Sequence, residues 1–390
     1  MNLKLLFMRA DGLLGLAIVI ALCIGEACLL LLLESQLALF LLLLLTVVLW
    51  FTVRRVGLAQ AAGSAVACRV GAANMLVCLG IFILILIFRE EHYALLMIGT
   101  VLLFTTAGIG LNIQTGLTGL ANFAGASFFA SGGYTMAVLV QKGTIPHELA
   151  LLAGGAISAL IGILLLLPVL RTRGYYSALV TIAFGLLFSS FLQVNEHLGG
   201  SEGLQVEGLR LFGWDMSTGF EWGGGEVSFY FAYCVLAILV FLMASLLAHA
   251  IEWSAIGVNL DATRNDELVS STFGISTQRW KITAFLLGNF VIGVAGALYS
   301  GMTGFISPAG ATFEQSLLLI SIIVLGGIGN TWGTLIAATF IILLPEKLHA
   351  LQEYRVLLFS VLVVIILMFS PKGLVPRAMR NFSRKRGIHE

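Results

Sequence analysis

The side chains of this chain that could do chemistry are few. Gly199-Gly200-Ser201-Glu202-Gly203 matches the G-x-S-x-G pattern of a nucleophile elbow. That pattern works on a strand-to-helix turn of a hydrolase sheet, and here it lies in a polar stretch between two apolar runs, where a flexible turn is the better reading. There is no G-x-x-x-x-G-K-[ST] to cradle nucleotide phosphates, no H-E-x-x-H, and no Cys/His cluster with metal spacing. Cys23, Cys28, Cys68, Cys78 and Cys234 lie in or at the ends of apolar runs and read as small packing residues. Glu26 alone among ionisable residues sits well inside an apolar run. Such a residue is a functional candidate by default; a helix–helix contact or a headgroup-facing position is the plainer reading. A proton relay would recruit partners on several runs, and no other run has a central acid or base. No catalytic residue, metal site or nucleic-acid partner is expected.

The elements that would position these residues are membrane spans. Of 390 residues, 59% are hydrophobic and 11% charged, against about 25% charged in soluble domains; mean hydropathy is +1.02. A span needs about 20 mostly apolar residues. Leu13–Leu33, Leu37–Val53, Gly71–Phe88, Ala94–Leu111, a run ending at Val140, Leu149–Leu170, Tyr175–Leu192, Ser228–Ala250, Ile282–Met302, Ser316–Leu344 and Val356–Phe369 qualify. Met1–Gly12 is too polar for the apolar core of a signal peptide, so the first run is expected to stay as a helix. The fold class is therefore an all-α polytopic membrane protein, with about ten transmembrane helices plus glycine-broken segments.

Charge sets the orientation. Arg54, Arg55 and Arg69, then Arg171 and Arg173, then the basic tail Lys372–Arg386 mark the cytoplasmic side. The polar stretch 195–227, with Glu196, Glu202, Glu207, Asp215, Glu221 and Glu226 against Arg210, falls outside. Parity then requires Ser316–Leu344 to break at Gly326–Asn330 and turn back, so that both termini are cytoplasmic.

One stretch breaks the apolar pattern. Gly108–Tyr134 reads GIGLNIQTGLTGLANFAGASFFASGGY, rich in glycine and amides and without charge. Lipid offers no hydrogen-bond partners, so broken helix at membrane depth survives only against protein or around a watery cavity. This stretch is expected to line a path through the membrane, with Asn112, Gly116, Thr118, Gly119, Asn122, Gly132 and Gly133 as candidates. Gly326, Gly327 and Gly329 form a second glycine-interrupted segment in the other half, the placement expected of a transporter built from internal repeats. In the polar loop 251–281, Asp266 and Glu267 precede apolar Leu268, Val269 and Phe273, with Gly274 as a helix stop. A short amphipathic helix there could be a docking peg for a peripheral subunit or could rest on lipid.

The loop followed by Arg279-Trp280-Lys281-Ile282-Thr283-Ala284-Phe285 resembles that of branched-chain amino acid ABC-transporter permeases of the LivM-like branch. Further blocks are similar in order: Gly110-Leu111-Asn112 with Gly116-Leu117-Thr118-Gly119-Leu120, Gly132-Gly133-Tyr134, Arg171–Tyr176 through Thr181 and Gly185, Gly199–Leu204, Gly304–Pro308, Val324–Gly329 and Ser370–Leu374. The likeness covers about residues 95–376. It implies three segments: N-terminal helices 1–70 outside the likeness, a permease domain over 71–376, and a basic tail 377–390. It also implies an importer subunit of the bacterial inner membrane that does no chemistry itself. Small, branched-chain amino acids would arrive from a periplasmic substrate-binding protein. A second related permease and two cytoplasmic ATPase subunits would complete the assembly, with ATP and Mg bound there and no cofactor on this chain. Ala262–Gly274 would be the coupling helix, bringing Arg264, Asp266, Glu267, Phe273 and Gly274 to the ATPase. The sequence departs from the family's R-E-[ND]-E pattern, having Arg264-Asn265-Asp266-Glu267, and from its Ala-rich stretch, having Ser270-Ser271-Thr272. A urea or short-amide permease of the same machinery and a stand-alone secondary carrier remain the alternatives.

Overall fold

The computed structural model describes residues 13–33, 70–143, 145–172, 175–211, 213–222, 225–347 and 373–375, with scattered positions between 35 and 46 and between 357 and 368. The expected spans Leu37–Val53 and Val356–Phe369, the arginines at 54, 55, 69 and 173, and the tail 377–390 lie wholly or largely outside the described residues.

The apolar runs are helices. They are α1 (Leu13–Leu32), α2 (Val70–Ile87), α3 (His92–Thr118), α4 (Gly125–Gln141), α5 (His147–Arg171), α6 (Tyr175–Val194) and α7 (Tyr230–Glu252). The polar loop after α7 holds α8 (Ala255–Asn265) and α9 (Glu267–Thr272), and the chain goes on through α10 (Thr277–Thr303), α11 (Phe313–Gly326) and α12 (Thr331–Lys347). Among the described residues five helices, α3, α5, α6, α7 and α10, are long and apolar enough to cross a membrane, and α1, α2 and α11 hold shorter apolar stretches. The chain is an all-α polytopic membrane protein.

The stretch 195–227 carries structure of its own. Strands β1 (Leu204–Gln205), β2 (Arg210–Leu211), β3 (Trp214–Asp215), β4 (Phe220–Trp222) and β5 (Gly225–Val227) lie within it, and β6 (Phe305–Ile306) follows α10. β2 pairs with β3 and β4 with β5, while β1 pairs antiparallel with the distant β6, Leu204 opposite Ile306. This hairpin end of the molecule also holds the start of α3, where Ser228 N–H donates to Arg89 O. The opposite, loop end holds α8 and α9.

The core sits around α10, which packs on α3, α4 and α5. Small residues allow it: a Cβ on Gly110 would strike Gly288 O, and one on Gly132 would strike the Gly293 backbone. Phe128 of α4 meets Phe285 of α10 edge to face at 5.9 Å, and both are fully buried. Thr105 and Thr106 return their hydroxyls to Val101 O and Leu102 O of their own helix, so polar side chains are accommodated without water. Burial differs sharply between helices: 78% of the central window of α3 is buried but only 28% of that of α6. Of the five long apolar helices, α6 is the least buried.

α11 runs from the hairpin end to the loop end and α12 runs back, bringing Lys347 over the Tyr93 ring at the start of α3. Ser316–Leu344 therefore breaks and reverses, as charge parity requires. The same lysine donates to Leu31 O in the last turn of α1 at 2.8 Å, tying the N-terminal helix to the bundle.

Candidate functional site

Two helix breaks meet at the loop end. α3 continues past the expected end at Leu111 to Thr118, and the first break is confined to 119–124. Gly119 ends α3 at φ 75°, a left-handed conformation that costs a residue with a Cβ about 1–2 kcal/mol. Its N–H closes the helix on Thr115 O. Three residues later Asn122 Oδ1 accepts from the N–H of Ala124, the residue that leads into α4, at 2.9 Å. Asn122 Nδ2 donates to Gln114 Oε1 at 2.7 Å, and Gln114 Nε2 donates to Asn289 Oδ1 of α10 at 2.7 Å. Thr118 donates to Gln114 O and accepts from Leu120 N–H. Gln114, Asn122 and Asn289 are wholly buried, so each bond replaces water that could not be reached.

The second break repeats the grammar of the first. Gly119-Leu120-Ala121-Asn122 has its counterpart in Gly327-Ile328-Gly329-Asn330. Gly327 closes α11 at φ 110°, with its N–H on Ile323 O, and Asn330 Oδ1 accepts from Trp332 and Gly333 N–H at the start of α12. The two breaks touch: Asn112 Oδ1, on α3, accepts from Gly329 N–H at 2.7 Å. A Cβ on Gly116 would lie against both Asn112 Oδ1 and the Gly329 backbone. From the far end of the sequence, Leu374 and Val375 N–H donate to Leu325 O and Gly326 O.

The helical loop covers this junction. Arg264, in the last turn of α8, sends Nη1 to Gly116 O at 2.5 Å and lays its stem over Gly119. Asp266 leaves helical geometry and caps α9, its Oδ1 accepting from Leu268 N–H at 2.8 Å and Val269 N–H at 3.1 Å. Glu267 pairs with Lys281, a largely buried lysine in α10. The loop thus holds α3 through Arg264 and α10 through Glu267. Leu268, Val269 and Phe273 face outward, Phe273 with 80% of its surface exposed, and Gly274 ends the segment at φ 78°. The segment expected over Leu268–Phe273 is the helix α9, but the single coupling helix expected over Ala262–Gly274 is two helices, broken at Asp266, whose extended backbone ends α8 and whose side chain caps α9. α8 itself carries no clear sequence signal.

Of the other candidate residues, Gly132 and Gly133 face Gly293 and Gly296 of α10, and Gly326 faces Gly333 of α12. Asn112, Thr118 and Asn122 are buried with their side chains bonded to protein. Gln114, Asn289, Thr181 and Ser316 were not singled out from the sequence as site residues. Thr181 Oγ1 accepts from Phe123 N–H at 3.1 Å and Ser316 Oγ from Ala126 N–H at 3.2 Å. Asn289, an amide in the middle of the apolar run 282–302, was the available signal. Among the described residues no group of His, Cys, Asp and Glu could hold a metal. At the hairpin end, hydrogen bonds from the Ser217 hydroxyl and amide, and the Arg210 guanidinium, hold Asp215 below the usual carboxylate range.

Residues 93–370 match the family described as "Branched-chain amino acid transport system / permease component". The chain belongs to that family. The permease is similar to the high-affinity branched-chain amino acid transport system permease protein LivM of Escherichia coli, 32% identical over 301 residues that cover 73% of this chain and 71% of that one. It also resembles LivH of Salmonella typhimurium, 24% identical over 70% of this chain and 91% of that one. A probable LivM of Methanocaldococcus jannaschii is 24% identical over 58% and 68%. No solved structure matches. The match begins at Tyr93, the second residue of α3, and leaves α1 and α2 outside it.

Proposed function

We propose that this chain is the membrane-spanning subunit of an ATP-driven importer that passes branched-chain amino acids received from a periplasmic binding protein. It works beside a second, related permease and above two cytoplasmic ATPase subunits, which bind the ATP and Mg. The observation that carries the reading is the loop end: α9 presents Leu268, Val269 and Phe273 outward while Arg264 of the same loop is bonded to Gly116. A subunit docked on α9 therefore has a physical line to the break between α3 and α4. Likeness to both LivM and LivH supports the paired permeases.

In this account ATP closes the ATPase pair, α8 and α9 shift with it, and the contact on Gly116 biases the two hairpins toward one of two openings. Nucleotide and solute act only through unequal affinity for those two states. The pathway lies where this chain meets its partner permease. Asn112, Gly116, Thr118, Gly119, Asn122, Gly132, Gly133, Gly326, Gly327 and Gly329 shape and support its wall more than they bind the solute.

The test is leucine uptake into vesicles holding the two permeases, with and without the ATPase subunits, binding protein outside and ATP inside. Uptake that requires both ATP and the ATPase subunits is expected. Uptake that persists without them would make the chain a stand-alone carrier, and carriage of urea or acetamide in preference to leucine would change the substrate class.

A further inference from the structure

We propose that the N-terminus of α4, with the facing wall of α6, holds the carboxylate of the passing amino acid, and that the Ser127 hydroxyl is its ligand from this chain. The inference rests on the permease reading above and adds a place to it. α4 begins inside the protein, and a helix N-terminus directs N–H groups and partial positive charge at whatever lies beyond it. The donors around this one are served by neutral groups from three segments: Thr181 for Phe123, Asn122 for Ala124 and Ser316 for Ala126. No carboxylate of the chain is among them, so the positive end is hydrogen-bonded but not neutralised.

Ser127 supplies the second, independent observation. It stands in the first turn of α4, is 1% exposed, and its Oγ has no hydrogen-bond partner. A buried hydroxyl left in that state is destabilising, yet its neighbours Ser131 and Ser158 both find Phe128 O. Opposite it stands Gly185 of α6. Unlike Gly132 or Gly293, which are jammed against backbone, Gly185 is not demanded by packing: an added Cβ would rest 3.6 Å from Ser127 Oγ and 3.9 Å from Ala124 Cα and Phe123 O. A methyl-sized space therefore stands between an unpartnered donor and α6, the least buried of the five long apolar helices. Outward movement of α6 would widen it. The Phe128–Phe184 stack, with ring centroids at 5.8 Å, gives the adjoining wall an apolar surface. A helix N-terminus, a free hydroxyl and an aromatic wall suit a neutral amino acid with an apolar side chain.

Two variants test this in the complete assembly with radiolabelled leucine. Wild-type uptake reads the permease assignment, and the variant-to-wild-type ratio reads the site. Ser127→Ala is expected to lower uptake about tenfold, the worth of one hydrogen bond to a charged group, without lowering the unfolding temperature in detergent. A serine that only fills space gives unchanged uptake, so uptake at undiminished stability separates the two. Gly185→Ala, whose methyl fits without collision, is expected to assemble and to slow uptake by blocking that space. Wild-type ratios in both variants overturn the site and leave the permease reading standing. Loss of wild-type uptake itself overturns that reading and this ligand with it.

Discussion

The two helix breaks are built alike and held differently. Each has a positive-φ glycine closing one helix and, three residues on, an asparagine serving the next: Gly119 with Asn122, and Gly327 with Asn330. The first is locked from within. Asn122, Gln114 and Asn289 form a buried amide chain from the break to α10. The second is clasped from outside, by Asn112 on Gly329 and by Leu374 and Val375 on the end of α11, and Ile328 within it is 40% exposed. The difference assigns roles in the proposed cycle. In that cycle the first hairpin would move as one body with α10, whereas the second would be released by breaking the Asn112–Gly329 bond and the two backbone bonds from Leu374 and Val375.

The largest test of that contrast is Gln114→Leu. It orphans Asn122 Nδ2 and Asn289 Oδ1 in a buried site, so a loss of about 3 kcal/mol is expected, read from unfolding in detergent. The double variant Gln114→Leu, Asn289→Leu should recover part of it; full tolerance of the single change would mean that the first break is not locked by amides. Next come the glycines. Gly119→Ala meets only the flexible Arg264 stem and should cost about 1–2 kcal/mol in strain. Gly327→Ala should cost more, because φ 110° with ψ 114° lies outside the left-handed helical region as well. Equal costs would erase the distinction between the two turns. The smallest effect belongs to Asn330→Ala, about 1 kcal/mol for a lost cap, with faster amide hydrogen exchange confined to the start of α12. Exchange that spreads into α3 would show the breaks to be one unit.

The sequence revealed the breaks better than the bonds that hold them. The glycine-rich stretch 108–134 announced a first break without placing it, Gly326–Asn330 placed the second, and charge parity required Ser316–Leu344 to reverse. The extent of α3 was not legible. Asn112, Gln114 and Thr115 look like loop residues, but Thr115 returns its hydroxyl to Leu111 O and the amides find partners 175 and 217 residues away. Pairings at that separation leave no local pattern. The helix α8 was hidden for the opposite reason, since Asn259, Asp261 and Thr263 blur the apolar period that announces α9. Asp266 and Glu267 marked the start of α9, while the reach of Arg264 into the bundle needed the fold to be seen. The strands of 195–227 were illegible because each is two or three residues long and β1 pairs with β6, a hundred residues on.

The central claim is that the loop transmits movement to the first break through Arg264 and Gly116. Its most direct test is the number of leucine molecules imported per ATP hydrolysed in vesicles, compared between wild type and Arg264→Ala with equal ATPase bound. Loss of a charged hydrogen bond worth about 1.5 kcal/mol predicts a ratio about tenfold lower, with hydrolysis continuing. An unchanged ratio would contradict the claim.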